Sequence, residues 1–154
     1  MTGTGNPEPG CIFCTALDRA EAEPLVLHIG TSCFVILNLY PYNNGHLMVV
    51  PKRHVGNLAS ASHEELCELM ELTQLAEVAL TEAYAPHGMN VGINLGRPAG
   101  AGVLDHLHVH VVPRWNGDTN FMSVVGNVRV LPEELPQASA KLRPIFARLS
   151  GGRR

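Results

Sequence analysis

The chain has 154 residues, 45% of them hydrophobic and 16% charged, with a formal net charge of −3. That length suits a single domain with a substantial core. Mild acidity without a basic block argues against nucleic-acid binding, and no apolar run approaches the roughly 20 residues that span a bilayer.

Residues 1–10 read as a flexible lead-in without the charged and apolar regions of a signal peptide. A cytoplasmic location is therefore expected. Cys11–Arg19 reads as a short helix or turn and opens with Cys11-Ile-Phe-Cys14. In a cytoplasmic protein, a C-x-x-C pair points to metal binding or redox chemistry rather than to a structural disulfide. Leu25–Ile29 and Cys33–Leu39 are β-rich runs separated by Gly30-Thr-Ser, a hairpin pattern. Cys33 and Cys67 read as small core residues.

A turn cluster at 40–45 precedes His46-Leu-Met-Val-Val-Pro51, a buried strand stopped by proline. Ser62-His-Glu-Glu65 has capping-box spacing and opens the longest helix. Its expected apolar stripe is Leu66, Leu69, Met70, Thr73, Ala76, Leu80 and Ala83, and Pro86-His-Gly88 ends it. Met89–Leu95 is a further strand candidate, and Gly96–Gly102 is a glycine-rich loop. Val124–Leu131 reads as another strand. A last amphipathic helix runs from Pro132 to near Leu149, with Pro144 placed to kink it or delay its start. The whole reads as α+β: an antiparallel sheet of about five strands with two main helices, one domain over 11–150 and a short tail at 151–154.

His106-Leu-His108-Val-His110-Val-Val-Pro-Arg-Trp115 carries the chemistry. Side chains alternate between faces along a strand. His106, His108 and His110 therefore share one face, and Leu107, Val109 and Val111 the other. The aliphatic face packs on a core. Three imidazoles are an expensive way to build a half-buried sheet and a sensible way to build a site, because imidazole is nucleophile, acid/base and ligand near neutral pH. The three histidines make a poor metal site by themselves, since the first and third Cα atoms lie about 13 Å apart. The loop ending at Gly100-Ala101-Gly102 feeds directly into this run, and glycine-rich backbone can bring N–H groups close to phosphate oxygens.

The pattern His-φ-His-φ-His-φ-φ, with φ apolar, is matched at every position of 106–112 and resembles the histidine triad (HIT) family of nucleotidyl hydrolases and transferases. Asn38-Leu-Tyr-Pro-Tyr-Asn-Asn-Gly-His46 through His54 resembles the family's upstream segment, and Asn94-Leu-Gly96 with Ala99-Gly100 its phosphate-loop region. Pro113-Arg-Trp-Asn-Gly-Asp-Thr-Asn-Phe-Met122 is most similar to the bacterial diadenosine tetraphosphate (Ap4A) phosphorylase, or ATP adenylyltransferase-like, branch.

The resemblance implies a HIT-like fold and a nucleotidyltransferase acting on dinucleoside polyphosphates. His108 would attack the α-phosphorus to form a nucleotidyl-histidine, its second nitrogen held by a fixed acceptor such as a backbone carbonyl. His46 and His110 match phosphate-contacting positions, Asn38 the ribose position and Asn94 a phosphate-side ligand, and the strand at 34–37 would wall the base pocket. Many hydrolase relatives carry Gly-Gln-Ser/Thr where this chain has Gly100-Ala101-Gly102. The missing amide and hydroxyl leave room for inorganic phosphate as the acceptor, which favours phosphorolysis over hydrolysis of Ap4A or a phosphoramidate. A nucleotide-binding protein without turnover is the third reading, and the complete triad argues against it. The resemblance also implies a homodimer and a structural zinc site at Cys11, Cys14, His54 and His106, set against a metal-free pair with His106 held by backbone hydrogen bonds. His28 and His63 are expected to be solvated, and His87 to lie in a turn after Pro86 without a functional role. Lys52, Arg53 and Arg114 could steer an anionic substrate, and Trp115 could stack on a base or close a dimer interface.

Overall fold

A computed structural model describes residues 7–100, 105–118 and 133–151. The elements in chain order are helix α1 (Ile12–Asp18), strands β1 (Val26–Ile29), β2 (Cys33–Leu37) and β3 (Leu47–Pro51), helix α2 (His63–Tyr84), strands β4 (Gly88–Gly92) and β5 (Val109–Arg114), and helix α3 (Leu135–Gly151). The five strands form one antiparallel sheet in the order β1-β2-β3-β5-β4. This is the α+β arrangement expected from the sequence. The expected strand at 124–131, and Ala101 and Gly102, lie outside the described residues.

Alternation along the central strands assigns the two faces. Cys33, Val35, Leu37, Leu47, Val49, Leu107, Val109 and Val111 join Leu69, Leu72, Ala76, Leu80, Leu142 and Phe146 in the larger core beneath α2 and α3. Phe34, Ile36, Met48 and Val50 point the other way, where they pack with Phe13 and the two cysteines at the start of α1. Because both faces are covered, β2 and β3 are buried at every position, which explains their unbroken apolar runs.

Helix α2 begins with the expected capping box, Ser62 accepting from the Glu65 backbone while the Glu65 side chain accepts from that of Ser62. It ends at Ala85 in the left-handed region. Its buried arc is wider than the sequence stripe. Leu72, Leu75 and Ala79 are buried, whereas Leu66 and Met70 are exposed. The cause is a second packing partner: α3 lies beside the sheet, so α2 buries a flank as well as a face. Helix α3 starts later than expected, at Leu135, and carries Pro144 within it. Cys33 is a core residue, but Cys67 is exposed on α2. His28 is half-buried and stacks on Phe146 at 6.0 Å rather than being solvated, while His63 and His87 are exposed.

Candidate active site and metal centre

The three triad histidines line the α1 side of the sheet, but only His110 sits within β5. The strand starts at Val109, and His106 and His108 belong to the segment that approaches it. Leu107 N–H donates to the Val55 carbonyl at 2.7 Å, pinning this approach beside the residues that follow β3. A Cβ on Gly56 would stand 3.1 Å from Asp105 Cα, so glycine permits the close crossing. The crossing brings His54 against His106.

Cys11 Sγ lies 3.2 Å from His106 Nδ1, and Cys14 Sγ lies 3.5 Å from His54 Nδ1 and 3.7 Å from His106 Nδ1. The two Nδ1 atoms are 3.1 Å apart. All four donor atoms lie within 4.8 Å of one another. Zn–S bonds near 2.3 Å and Zn–N bonds near 2.0–2.1 Å place the ligands of one tetrahedral ion about 3.3–3.8 Å apart, so the donor set matches in kind and in scale. His106 is also correctly protonated for this role. Its Nε2–H donates to the Pro51 carbonyl at 2.8 Å, leaving Nδ1 bare toward the cysteines, the outer-sphere arrangement common to metal-ligating histidines. Burial lowers its pKa to about 4, which disfavours a second proton. The four residues form a Cys2His2 arrangement whose other three members are buried around a half-buried His54.

His108, 3% exposed, stands next along the face. Its Nδ1 is 2.9 Å from the His106 carbonyl. A carbonyl only accepts, so the proton is on Nδ1 and the lone pair on Nε2. Burial holds its pKa below the ordinary histidine value, which favours this uncharged form.

A second chain of hydrogen bonds orients the remaining imidazoles. Tyr42 N–H donates to His46 Nδ1 at 2.9 Å. His46 is therefore neutral with its proton on Nε2, and that nitrogen is 2.9 Å from His110 Nδ1. His46 donates, so His110 carries its own proton on Nε2. Burial, followed by the neighbouring His108, lowers the pKa of His110 and favours that neutral donor form. Asn38 stands at the end of β2. Its amide oxygen accepts from Tyr40 N–H at 2.9 Å, which turns the NH2 group toward His46 Nε2 at 3.3 Å. The His46 Nε2–H is committed to His110, so the donors on this face are the Asn38 NH2 and the His110 Nε2–H, an arrangement suited to an anion.

His110 is flanked in the sheet by Met48 on β3 and Gly92 on β4. A Cβ at Gly92 would meet nothing within 4 Å, so the space beside His110 is open. Two residues past Gly92, the Asn94 side chain donates to the Gly100 carbonyl at 3.4 Å, joining two of the expected phosphate-side residues. The steering cations are largely compensated: Arg53 pairs with Glu65, and Arg114 with Asp118. Trp115 meets Tyr84 edge-on at 6.4 Å. Sequence reasoning missed Phe13, Tyr42 N–H and the Pro51 carbonyl. Two of these are backbone groups, which residue identity does not report. Phe13 had a visible signal, an aromatic residue between two candidate ligands.

The pattern of the HIT domain matches residues 19–117. A protein of Mycobacterium tuberculosis (strain H37Rv) described as "AP-4-A phosphorylase" is 46% identical over 140 residues, covering 91% of this chain and 72% of the relative. A Zn-bound histidine triad family protein from Mycobacterium smegmatis superimposes with a TM-score of 0.74 at 29% identity, covering 92% of this chain and 96% of that one. A hypothetical histidine triad nucleotide-binding protein from Sulfolobus tokodaii gives a TM-score of 0.73 at 28% identity, covering 91% and 94%.

Proposed function

The chain belongs to the HIT domain family, and we propose that within it the protein is a nucleotidyltransferase that cleaves Ap4A by phosphorolysis through a nucleotidyl-His108 intermediate. The observation that carries this reading is the polarity of His108: Nδ1–H is tied to the His106 carbonyl at 2.9 Å, so the lone pair is on Nε2. In the first step Nε2 attacks an α-phosphorus. An N–P bond forms, the P–O bond to the polyphosphate breaks, and ATP leaves. The N–H of His110, held in that tautomer by His46, and the amide NH2 of Asn38 stabilise charge on the phosphoryl oxygens. In the second step an oxygen of inorganic phosphate attacks the same phosphorus, the N–P bond breaks, and ADP leaves with His108 restored.

The 46% identity to the mycobacterial phosphorylase supports the substrate class. The run Gly100-Ala101-Gly102, which lacks the amide and hydroxyl of many hydrolase relatives, supports phosphate as the acceptor. Zinc is the proposed occupant of Cys11, Cys14, His54 and His106. Bound there, it supplies a structural cross-link. The reading extends to one catalytic domain over 11–150, a cytoplasmic location and a homodimer. In support of the dimer, β4 is a sheet edge whose residues are mostly exposed, and Val91 on it is 52% exposed.

Product analysis of Ap4A turnover tests the acceptor. ADP plus ATP that forms only with phosphate supports phosphorolysis. AMP plus ATP, released as fast in phosphate-free buffer, makes the protein a hydrolase.

A further inference from the structure

We propose that Phe13 is a positioning residue that transmits the geometry of the Cys2His2 centre to His108, so that the metal site pre-organises the nucleophile as well as holding the fold together. This inference rests on the reading of His108 as the nucleophile.

Phe13 lies between the two cysteine ligands and is 1% exposed. Its ring meets His106 edge-on, with centroids 5.3 Å apart, and meets His108 at 5.1 Å with the planes tilted by 51°. His110 packs against His108 on another side, edge-on at 4.8 Å. The His108 imidazole is therefore held by three contacts: its Nδ1–H bond to the His106 carbonyl, the Phe13 ring and the His110 ring. The first two lead back to the metal centre. One runs through ligand His106, and the other through the turn that carries ligands Cys11 and Cys14.

The helix bearing Phe13 does not place itself. It has seven residues, and its N-cap Cys11 makes no side-chain capping bond. Helices this short are marginal in isolation. What fixes α1 is burial of Phe13 with Phe34, Ile36, Met48 and Val50, together with the convergence of both thiols on His54 and His106. An ion joining those four donors sets the height of α1 above the sheet, and with it the wall against which His108 rests. Small displacements of a reacting group cost rate steeply, so this wall bears on turnover more than on substrate binding.

The test uses the zinc-loaded full chain and Phe13→Leu, which keeps an apolar side chain of similar size but removes the ring, with Phe13→Met as a second variant. Zinc content, kcat and KM for Ap4A, and the NMR resonance of His108 Nδ1–H are measured for each. We expect zinc to be retained, kcat to fall by about 10–100-fold, KM to stay within about twofold, and the His108 Nδ1–H resonance to shift or exchange faster. Wild-type kcat and an unmoved resonance in zinc-loaded variants would overturn the proposal. Should both variants fail to fold, Cd2+-loaded wild type decides: the larger, diamagnetic ion must move the His108 Nδ1–H resonance relative to the zinc-loaded protein, and a resonance unmoved by the exchange overturns the proposal. Absence of Ap4A turnover in the wild type would instead sink the reading of His108 as nucleophile, leaving the resonance test of Phe13 intact.

Discussion

The backbone carbonyl of His106 accepts the Nδ1–H of His108 at 2.9 Å, while the ring of the same His106 presents its bare Nδ1 to Cys11 Sγ at 3.2 Å. One residue thus serves two neighbours through different atoms. Its side chain belongs to the metal-type cluster, and its main chain sets which nitrogen of His108 can attack. From this shared residue follow expectations about each group of atoms.

Replacing the nucleophile should abolish chemistry and spare the fold. His108→Ala is expected to lower Ap4A turnover by at least about 10³-fold, the scale seen when a nucleophile is removed, with a circular dichroism spectrum like that of the wild type. Unchanged turnover in this variant would mean that the protein binds nucleotides without using the triad.

The hydrogen-bond chain from Tyr42 to His110 predicts a difference between two substitutions at one position. Tyr42→Ala retains the N–H that holds His46 Nδ1, whereas Tyr42→Pro removes it. The alanine variant should keep kcat within about twofold, and the proline variant should lose a further 3–10-fold, the value of one hydrogen bond. His46→Ala, which deletes the donor to His110 Nδ1 altogether, should cost about 10²–10³-fold. Steady-state kinetics of the three variants gives the ranking, and equal losses for alanine and proline at 42 would contradict it.

Removal of the proposed zinc should loosen the N-terminal helix. Cys14→Ala or chelation is expected to cost about 3 kcal/mol, read as a fall in Tm of roughly 6–12 °C for a chain of this size. Burial raises the pKa of the Cys14 thiol, so metal uptake must release protons and affinity should increase with pH. Calorimetry in two buffers of different ionisation enthalpy measures that release. A Tm indifferent to chelation would argue for a metal-free cluster.

Acidity acts through imidazoles that the fold keeps neutral. Burial lowers the pKa of His106, His108 and His110. A lowered folded-state value keeps the ring uncharged below pH 6.5, where an exposed histidine is already charged. The acid limb of kcat/KM should therefore fall below pH 6.5. Stability should decline in the same range, because the unfolded chain then binds protons that the folded chain does not. The decline extends toward pH 4, given the value near 4 for His106. An acid limb centred above pH 6.5 would contradict the burial argument.

Much of the site was legible in the sequence because it depends on periodicity and residue type. The alternation of His106, His108 and His110 with aliphatic residues put the imidazoles on one face, and Cys11, Cys14, His54 and His106 form the cluster that the family resemblance implied. The strand boundary was less legible. Alternation continues through residues 106–108, but the pairing that makes a strand starts at Val109. On α2, burial of Leu72, Leu75 and Ala79 lies outside a stripe drawn for one packing partner, because α3 supplies a second, and Leu66 and Met70 fall on the exposed side of the helix. The groups that select tautomers, Tyr42 N–H and the carbonyls of Pro51 and His106, are common to all residues there and leave no trace in composition.

The most direct test is a search for the intermediate itself. The zinc-loaded protein is mixed with Ap4A in phosphate-free buffer, quenched in base and analysed by intact and peptide mass spectrometry. One adenylyl group is expected, attached through nitrogen to the peptide that contains His108, absent from His108→Ala and discharged as ADP when phosphate is added. Rapid product formation with no adduct on that peptide at any time would contradict a nucleotidyl-His108 mechanism.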